Sequence, residues 1–464
     1  MRRSLNNSFR NEQGLVITLV AVFMASVVIV MAALAIDLTT LYTARSEAQL
    51  AADGAALAAA RVLANSGLTS SDGNIPLSTA FDTAGTENLA TAVAMQVAAS
   101  DPIGGKNLVP PGGASPTCGP GLSISVCFRD TDVSNPRVTV QVTRTDLPTF
   151  FLRFWSKQLT ASASATAEAY NPAGLSTRRD PAAPVAPVCV KPWLLPNLDP
   201  TQTTGNPIFD RRHGTIENAN LIGQQWPNLA PVSPTNPSPN TDGLFSQPYT
   251  SAPVAGRYYG GEISGTNFNV PTTSLPACSS TLTTDYQTAI AACVPNPIPC
   301  GRNADINVHT AGYPARDLDT VTAVECLIHY NGNIQDTDSL VGETTPPALP
   351  PASITPPFEF LAGKQNPITS TRNQDVMVSD SLVTVPVYDQ TAGGPPGSQT
   401  VNVIGFLQVF LNPQSGLLPY AGPNSANEIP ATIINQIGCG TDSNGTPIYG
   451  NGPSAVPVRL ITPP

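Results

Sequence analysis

The chain has 464 residues, enough for two or three domains at roughly 100 to 200 residues each. Only 12% of them are Asp, Glu, Lys or Arg, and the 48 prolines are about twice the usual ~5% share. That composition excludes a chain built mainly of long charged helices and favours short strands, turns and extended loops. With net charge -10 and only four lysines there is no positive field to neutralise phosphates, which argues against nucleic-acid binding.

Residues 1–14 carry Arg2, Arg3 and Arg10 and read as a cytoplasmic tail. Leu15 to Ile36 contains no charge, and 22 residues at ~1.5 Å each span about 33 Å, enough for a ~30 Å hydrocarbon core. The segment is expected to be a single transmembrane helix with its N-terminus inside. A cleaved signal peptide is the alternative, since Ala33-Leu34-Ala35 has the small-x-small form of a cleavage site. Either reading exports the chain beyond Asp37. From Asp37 to Ala64 there is no proline, and ten of the twenty-one residues from Ala44 are alanine, so the helix is expected to continue as one rod. Leu38, Leu41, Tyr42, Ala48, Ala52, Ala55, Ala56, Ala59 and Val62 form one broad face. Tyr42, Arg45, Gln49 and Asp53, spaced three, four and four, form a polar ridge within it. The ridge either sets register against a partner helix or is a solvated stripe.

These residues resemble the Flp pilus-assembly TadE/TadG-like proteins of bacterial tight-adherence systems. The likeness runs from Gln13 to Ala60 and rests on Gln13-Gly14, Asp37, Tyr42, Arg45 and the string from Gln49 to Ala58, QLAADGAALA, with weaker likeness to residue 170. Thr39, Thr40, Ala48, Leu50 and Gly54 depart from the usual pattern. Pseudopilins of these systems are cut after a Gly and carry Glu at the fifth mature position; counting from Gly14 that position is Leu19, so the chain looks like the uncleaved members. The resemblance implies a non-enzymatic component of a pilus or secretion apparatus whose partners are the inner membrane and other proteins of that system.

Beyond the rod, Glu87 to Ala99 has a helical pattern. Leu122 to Phe128 and Arg137 to Thr143 alternate as strands, and Leu159 to Ala169 alternates small residues with Ser and Thr. The aromatic patch from Leu147 to Trp155 reads as a core plug or a docking site. Residues 37–170 are thus expected to be an α+β, pilin-like domain, a long helix on an antiparallel sheet. A Pro-rich linker comes next at 171–187, then a β-rich exported domain at 188–464 with long loops. Its clearest strands are Leu382 to Tyr388 and Val401 to Leu411; Thr283 to Cys293 and Ala315 to His329 read as helices.

All eight cysteines lie after the apolar segment, an even number that argues for disulfides in an oxidising compartment. Expected pairs are Cys118 with Cys127, Cys278 with Cys293, and Cys300 with Cys326, out of 105 possible pairings. A zinc site from Cys293, Cys300, His309, Cys326 and His329 is the rival, but its spacings match no familiar module. No nucleophile elbow, zincin, phosphate-loop or dinucleotide signature occurs. His213, His309 and His329 sit in unlike contexts, and Asp130, Asp132 and Ser134 lack the Gly and Glu of a calcium loop. No enzyme activity, cofactor, metal or small-molecule ligand is expected. Surface adhesin or matrix binder is the second reading, with the C-terminal region as the binder; an exported hydrolase of unrecognised type is the third.

Overall fold

The computed structural model describes residues 6–70, 86–110, 118–119, 121–129, 135–149, 158–171, 185–200, 205–226, 245–246, 253–263, 281–303, 306–308, 320, 322–342, 353–376, 378–391, 401–411, 431–439, 448–449 and 454–461. The fold is α+β: one long N-terminal helix and a β-rich remainder. Helix α1 runs without a break from Asn6 to Asn65, about 90 Å at 1.5 Å per residue. Helix α2, Thr86–Ser100, returns along it. Helix α3, Asp285–Ala291, opens with a capping box between Thr284 and Gln287.

The strands in chain order are β1 (Ile124–Arg129), β2 (Arg137–Leu147), β3 (Leu159–Ala169), β4 (Val185–Ala186), β5 (Trp193–Pro196), β6 (Gln225–Trp226), β7 (Phe245–Ser246), β8 (Arg257–Ile263) and β9 (Gly301–Asn303). They continue with β10 (Ile306–Val308), β11 (Ser339–Leu340), β12 (Phe360–Leu361), β13 (Leu382–Tyr388), β14 (Val401–Leu411), β15 (Ala431–Gly438), β16 (Ile448–Tyr449) and β17 (Val458–Ile461).

The smaller sheet has the order β1-β2-β3-β17, all antiparallel. Val138, Val140 and Val142 of β2 and Ala161, Ala165, Ala167 and Ala169 of β3 face inward and are buried. Against them lie Ala44, Ala48, Ala51, Ala52, Ala55 and Ala59 of α1, also fully buried. Methyl side chains on both surfaces let helix and sheet backbones approach closely, which is why the sequence alternates Ala with Ser on the strand and repeats Ala every three or four residues on the helix. The outer face is polar: the hydroxyls of Thr139 and Thr166 bond at 2.9 Å and those of Thr143 and Ser162 at 3.0 Å. At its end Glu168 receives Asn135, Arg137 and Arg459, so β17 is tied to β3 by a buried carboxylate. Arg459 also stacks over the Tyr170 ring at 4.3 Å.

The larger sheet has the order β10-β8-β5-β13-β14-β15-β6, with β7 on β8 and β9 on β14. Its centre, β13 to β15, is buried at every position but the partly exposed Asn402, so the strands read as near-continuous apolar runs. The β13 and β14 boundaries coincide with the sequence expectation. Among the described residues the helix expected at Ala315 to His329 is helical at 320 and 322–327. Within the stretch expected as linker, Val185–Ala186 forms β4 and pairs with β16. The two parts of the chain are also interleaved, because β17, from the far end, closes the smaller sheet.

Candidate helix interface

From Gly14 to Ala32 every residue of α1 is exposed, including Leu15, Ile17, Phe23 and Met31. An apolar surface of that length is not tolerated in water and has the length of a bilayer core. Asp37, just past this stretch, is buried. Farther along, the face carrying Ala44, Ala48 and Ala52 turns into the protein and stays buried to Leu63.

The polar ridge lies elsewhere than expected. Tyr42 is 64% exposed, Leu38 is 49% exposed, and Arg45 and Gln49 are also exposed. Gln49 donates to Asp53 at 2.7 Å, one turn on. The ridge therefore occupies the flank of the buried face instead of running within it. At 100° per residue the four ridge positions stay within about 80° of one another and lie roughly 60 to 140° round from the centre of the Ala44, Ala48 and Ala52 face, on the side that the sheet does not cover.

At its far end the helix is rooted in the larger sheet, a feature that the sequence pattern did not single out. Asn435 of β15 donates to the Ala64 carbonyl at 2.9 Å and to Gln408 of β14 at 2.6 Å, while Gln408 donates to Asn65 at 3.1 Å. Ser70 donates to Asn435 at 3.0 Å and accepts from the Gln436 amide. These amides and hydroxyls are buried, and the bond to Ala64 takes up a carbonyl that a helix end leaves without a partner. The chain then turns at Gly67, whose φ of +81° suits a residue without Cβ. A Cβ there would lie 2.5 Å from the Phe358 ring, and the Phe358 amide donates to the Ser66 carbonyl.

Beside this root a narrow cleft is lined by Val62, Asn65, Leu89, Phe358, Phe360, Asp375 and Val376. Burial, reinforced by the charge of Glu359, pushes the Asp375 carboxyl up to about 7. Burial likewise raises Glu359. Lys191 is buried, which pulls its ammonium down to about 8. It donates to the Ile290 and Ala292 carbonyls and so caps the C-terminal end of α3.

Cysteine pairing is set by tertiary layering more than by nearness in sequence. Cys118 bonds to Cys127, with the Cα atoms 5.0 Å apart. Cys293 bonds to Cys189 and Cys300 to Cys439, which replaces the expected Cys278–Cys293 and Cys300–Cys326 pairs. The Cys189 amide donates to Val294 and the Cys439 amide to Ile404, so backbone pairing between distant parts of the chain sets these partners. Cys326 is also disulfide-bonded, and Cys278 lies outside the described residues. Bonded cysteines leave no thiolates for the zinc alternative, and among the described residues no group of three or more His, Cys, Asp or Glu is placed to hold a metal. His213 is exposed and paired with Asp210; His329 is buried and meets Asp380 at 2.9 Å. His309, Asp130, Asp132, Ser134 and the aromatic residues 150–155 lie outside the described residues.

No curated protein and no solved structure matches the chain. Residues 16–62 do match a family, and they cover the apolar stretch, the ridge and the alanine face. That family is the Flp pilus-assembly TadE/G-like one, and the similarity is confined to this segment of α1.

Proposed function

We propose that the chain is a non-enzymatic component of a Flp/Tad-type pilus assembly or secretion apparatus, held in the inner membrane by Leu15–Ile36 and acting through helix packing and protein–protein contact. The observation that carries this reading is the state of α1 inside the matched segment: one face is consumed by the sheet, while the flank bearing Tyr42, Arg45 and Gln49 is left exposed. The Arg-rich tail sits inside and the disulfide-bonded body outside, in agreement with the charge bias and with an oxidising compartment.

Deleting the protein and imaging pili tests the reading. Loss of pili supports it; normal pili with reduced surface attachment would favour an adhesin instead. Substituting Arg45→Ala with Asp53→Ala examines the ridge: assembly is expected to fall while the amount of membrane-bound protein stays constant. Unchanged assembly would make the ridge a solvated stripe.

A further inference from the structure

The flank of α1 that is open near the apolar stretch is closed farther out. Eighteen residues are five whole helical turns, so Leu38 and Ala56, Tyr42 and Ala60, and Arg45 and Leu63 share azimuths. Ala56, Ala60 and Leu63 are fully buried, whereas Leu38, Tyr42 and Arg45 are exposed. This flank faces away from α2, because Glu47, which accepts from the Gly104 amide, and Gly54, which lies against Val97, are each five residues (about 140°) round from Tyr42 and Gln49. Helix α2 packs at the β1 end of the smaller sheet and α1 also packs against β17, so the flank looks toward the β3–β17 end.

Among the described residues β3 is only half covered at that end. Strand β17 pairs with Thr166 to Ala169 and stops at Ile461, and among the described residues no strand pairs with Leu159 to Ala165 on that side. The Ala169 amide bonds toward β2, to Pro136, and the next amide, Tyr170, bonds the other way, to Pro457. Antiparallel ladders alternate, so Ser162 and Ser164 present their N–H and C=O groups to the uncovered edge. Edge strands are normally blunted by charge, proline or a bulge. Residues 159–165 read LTASASA, without charge or proline, and the β2–β3 register is regular from Ser162 onward. Leu460, opposite the inward-facing Ala167, is still 41% exposed, which marks the mouth of the gap.

We propose that Leu159–Ala165 of β3, beside the exposed flank of α1 that carries Tyr42, Arg45 and Gln49, is a strand-acceptor groove for an extended segment of another exported chain. The occupant continues the line of β17 toward the membrane. It carries small apolar residues on the helix side, Ser or Thr on the outer face, and an acidic side chain opposite Arg45. The same strand of a second copy is a poor fit. Leu147, at the β3 start, lies by Gly104 and thus by Glu47, while Asn171 after β3 bonds Ser70 beyond the helix end, so β3 runs in the same sense as α1. Anchored copies all point outward, and their β3 edges cannot meet antiparallel. The proposal rests on the pilus-apparatus reading for the source of the strand, but not for the open edge itself.

Amide hydrogen exchange on the full chain tests it, with one sample in lipid nanodiscs and one labelled in intact envelopes of piliated cells before purification. The amides of Ser162 and Ser164 are expected to exchange fast in nanodiscs and at least ~10-fold slower in envelopes, while Ala163 and Ala165, bonded to β2, are slow in both. Introducing Ser162→Pro with Ser164→Pro removes donors only from the free edge; it is expected to abolish a photocrosslink formed from position 42 in cells and leave the Ala163 and Ala165 amides slow. Slow exchange at Ser162 and Ser164 already in nanodiscs would mean that the chain fills its own groove, and fast exchange in both samples would mean that nothing docks; either overturns the proposal. If deletion of the protein leaves pili intact, the pilus reading fails while protection in envelopes still reports on the groove.

Discussion

Replacing Gly67 by Ala isolates the joint between α1 and the larger sheet. Two costs add. The left-handed backbone at φ +81° is unfavourable for an L side chain by ~1 to 2 kcal/mol. The new methyl also falls 2.5 Å from the Phe358 ring and 2.9 Å from the Ile434 carbonyl oxygen, an overpacking worth ~1 to 3 kcal/mol. The sum, about 2 to 5 kcal/mol, corresponds to roughly 30-fold or more in a local opening equilibrium, since ~1.4 kcal/mol is tenfold. Gly105→Ala supplies the control, because Gly105 has φ +80° but nothing within 4 Å of a Cβ. Hydrogen exchange at the amides of Ser66, Ser70 and Gln436 should accelerate at least ~30-fold in Gly67→Ala. Local exchange around residue 105 in Gly105→Ala should change by only the backbone part. If the two variants accelerate exchange equally, Phe358 does not lock the turn and the reasoning fails.

The buried charges and the covalent ties lead to three further outcomes. Asp375 has its carboxyl raised to about 7 from 3.8, so the stability it contributes is full below 3.8 and is lost as pH rises through about 7; the denaturation midpoint should fall over that interval, and Asp375→Asn should flatten the profile. Glu168 has the opposite sign. Burial alone would raise it, but hydrogen bonds from Asn135 and Arg459 and the charges of Arg459 and Arg137 hold it below 4.5, so its stability is present above 4.5 and disappears on acidification; Glu168→Gln should detach β17, seen as faster exchange at Ile461. Replacing Cys300 and Cys439 together by Ser should cost about 2 to 5 kcal/mol in guanidinium unfolding, and peptide mapping of the oxidised parent should recover Cys300 linked to Cys439. Recovery of Cys300 linked to Cys326 would refute the pairing.

Much of the architecture was legible wherever periodicity is strong. The run of α1, the spans of β3, β13 and β14, and the alternation of β2 follow from residue pattern alone, because burying one face or both leaves a direct mark in the sequence. Cys118 and Cys127 were readable because only nine positions separate them. Short strands were not: β5 and β17 are held by partners far away in the chain, and a segment such as VRLI has no period of its own. The long-range disulfides were hidden for the same reason. Spacing sets the ridge residues along one line of the helix, but placing that line on a buried or an exposed side needs the azimuth of the sheet, which spacing along one helix cannot supply. Asn435 and Gln408 inside apolar strands were overlooked as a site, although buried amides in such runs are themselves a signal that a backbone end must be met nearby.

The unbroken α1 and its amide-bound end make the protein a lever without a pivot. With Leu15–Ile36 seated in a bilayer, any tilt that hydrophobic mismatch imposes on the helix is passed undiminished to the folded body. Over the roughly 60 Å from the middle of that segment to Asn65, a 10° change in tilt carries the far end through about 10 Å. Lipid thickness, acting at one end, thereby sets the height and bearing at which the body stands at the other.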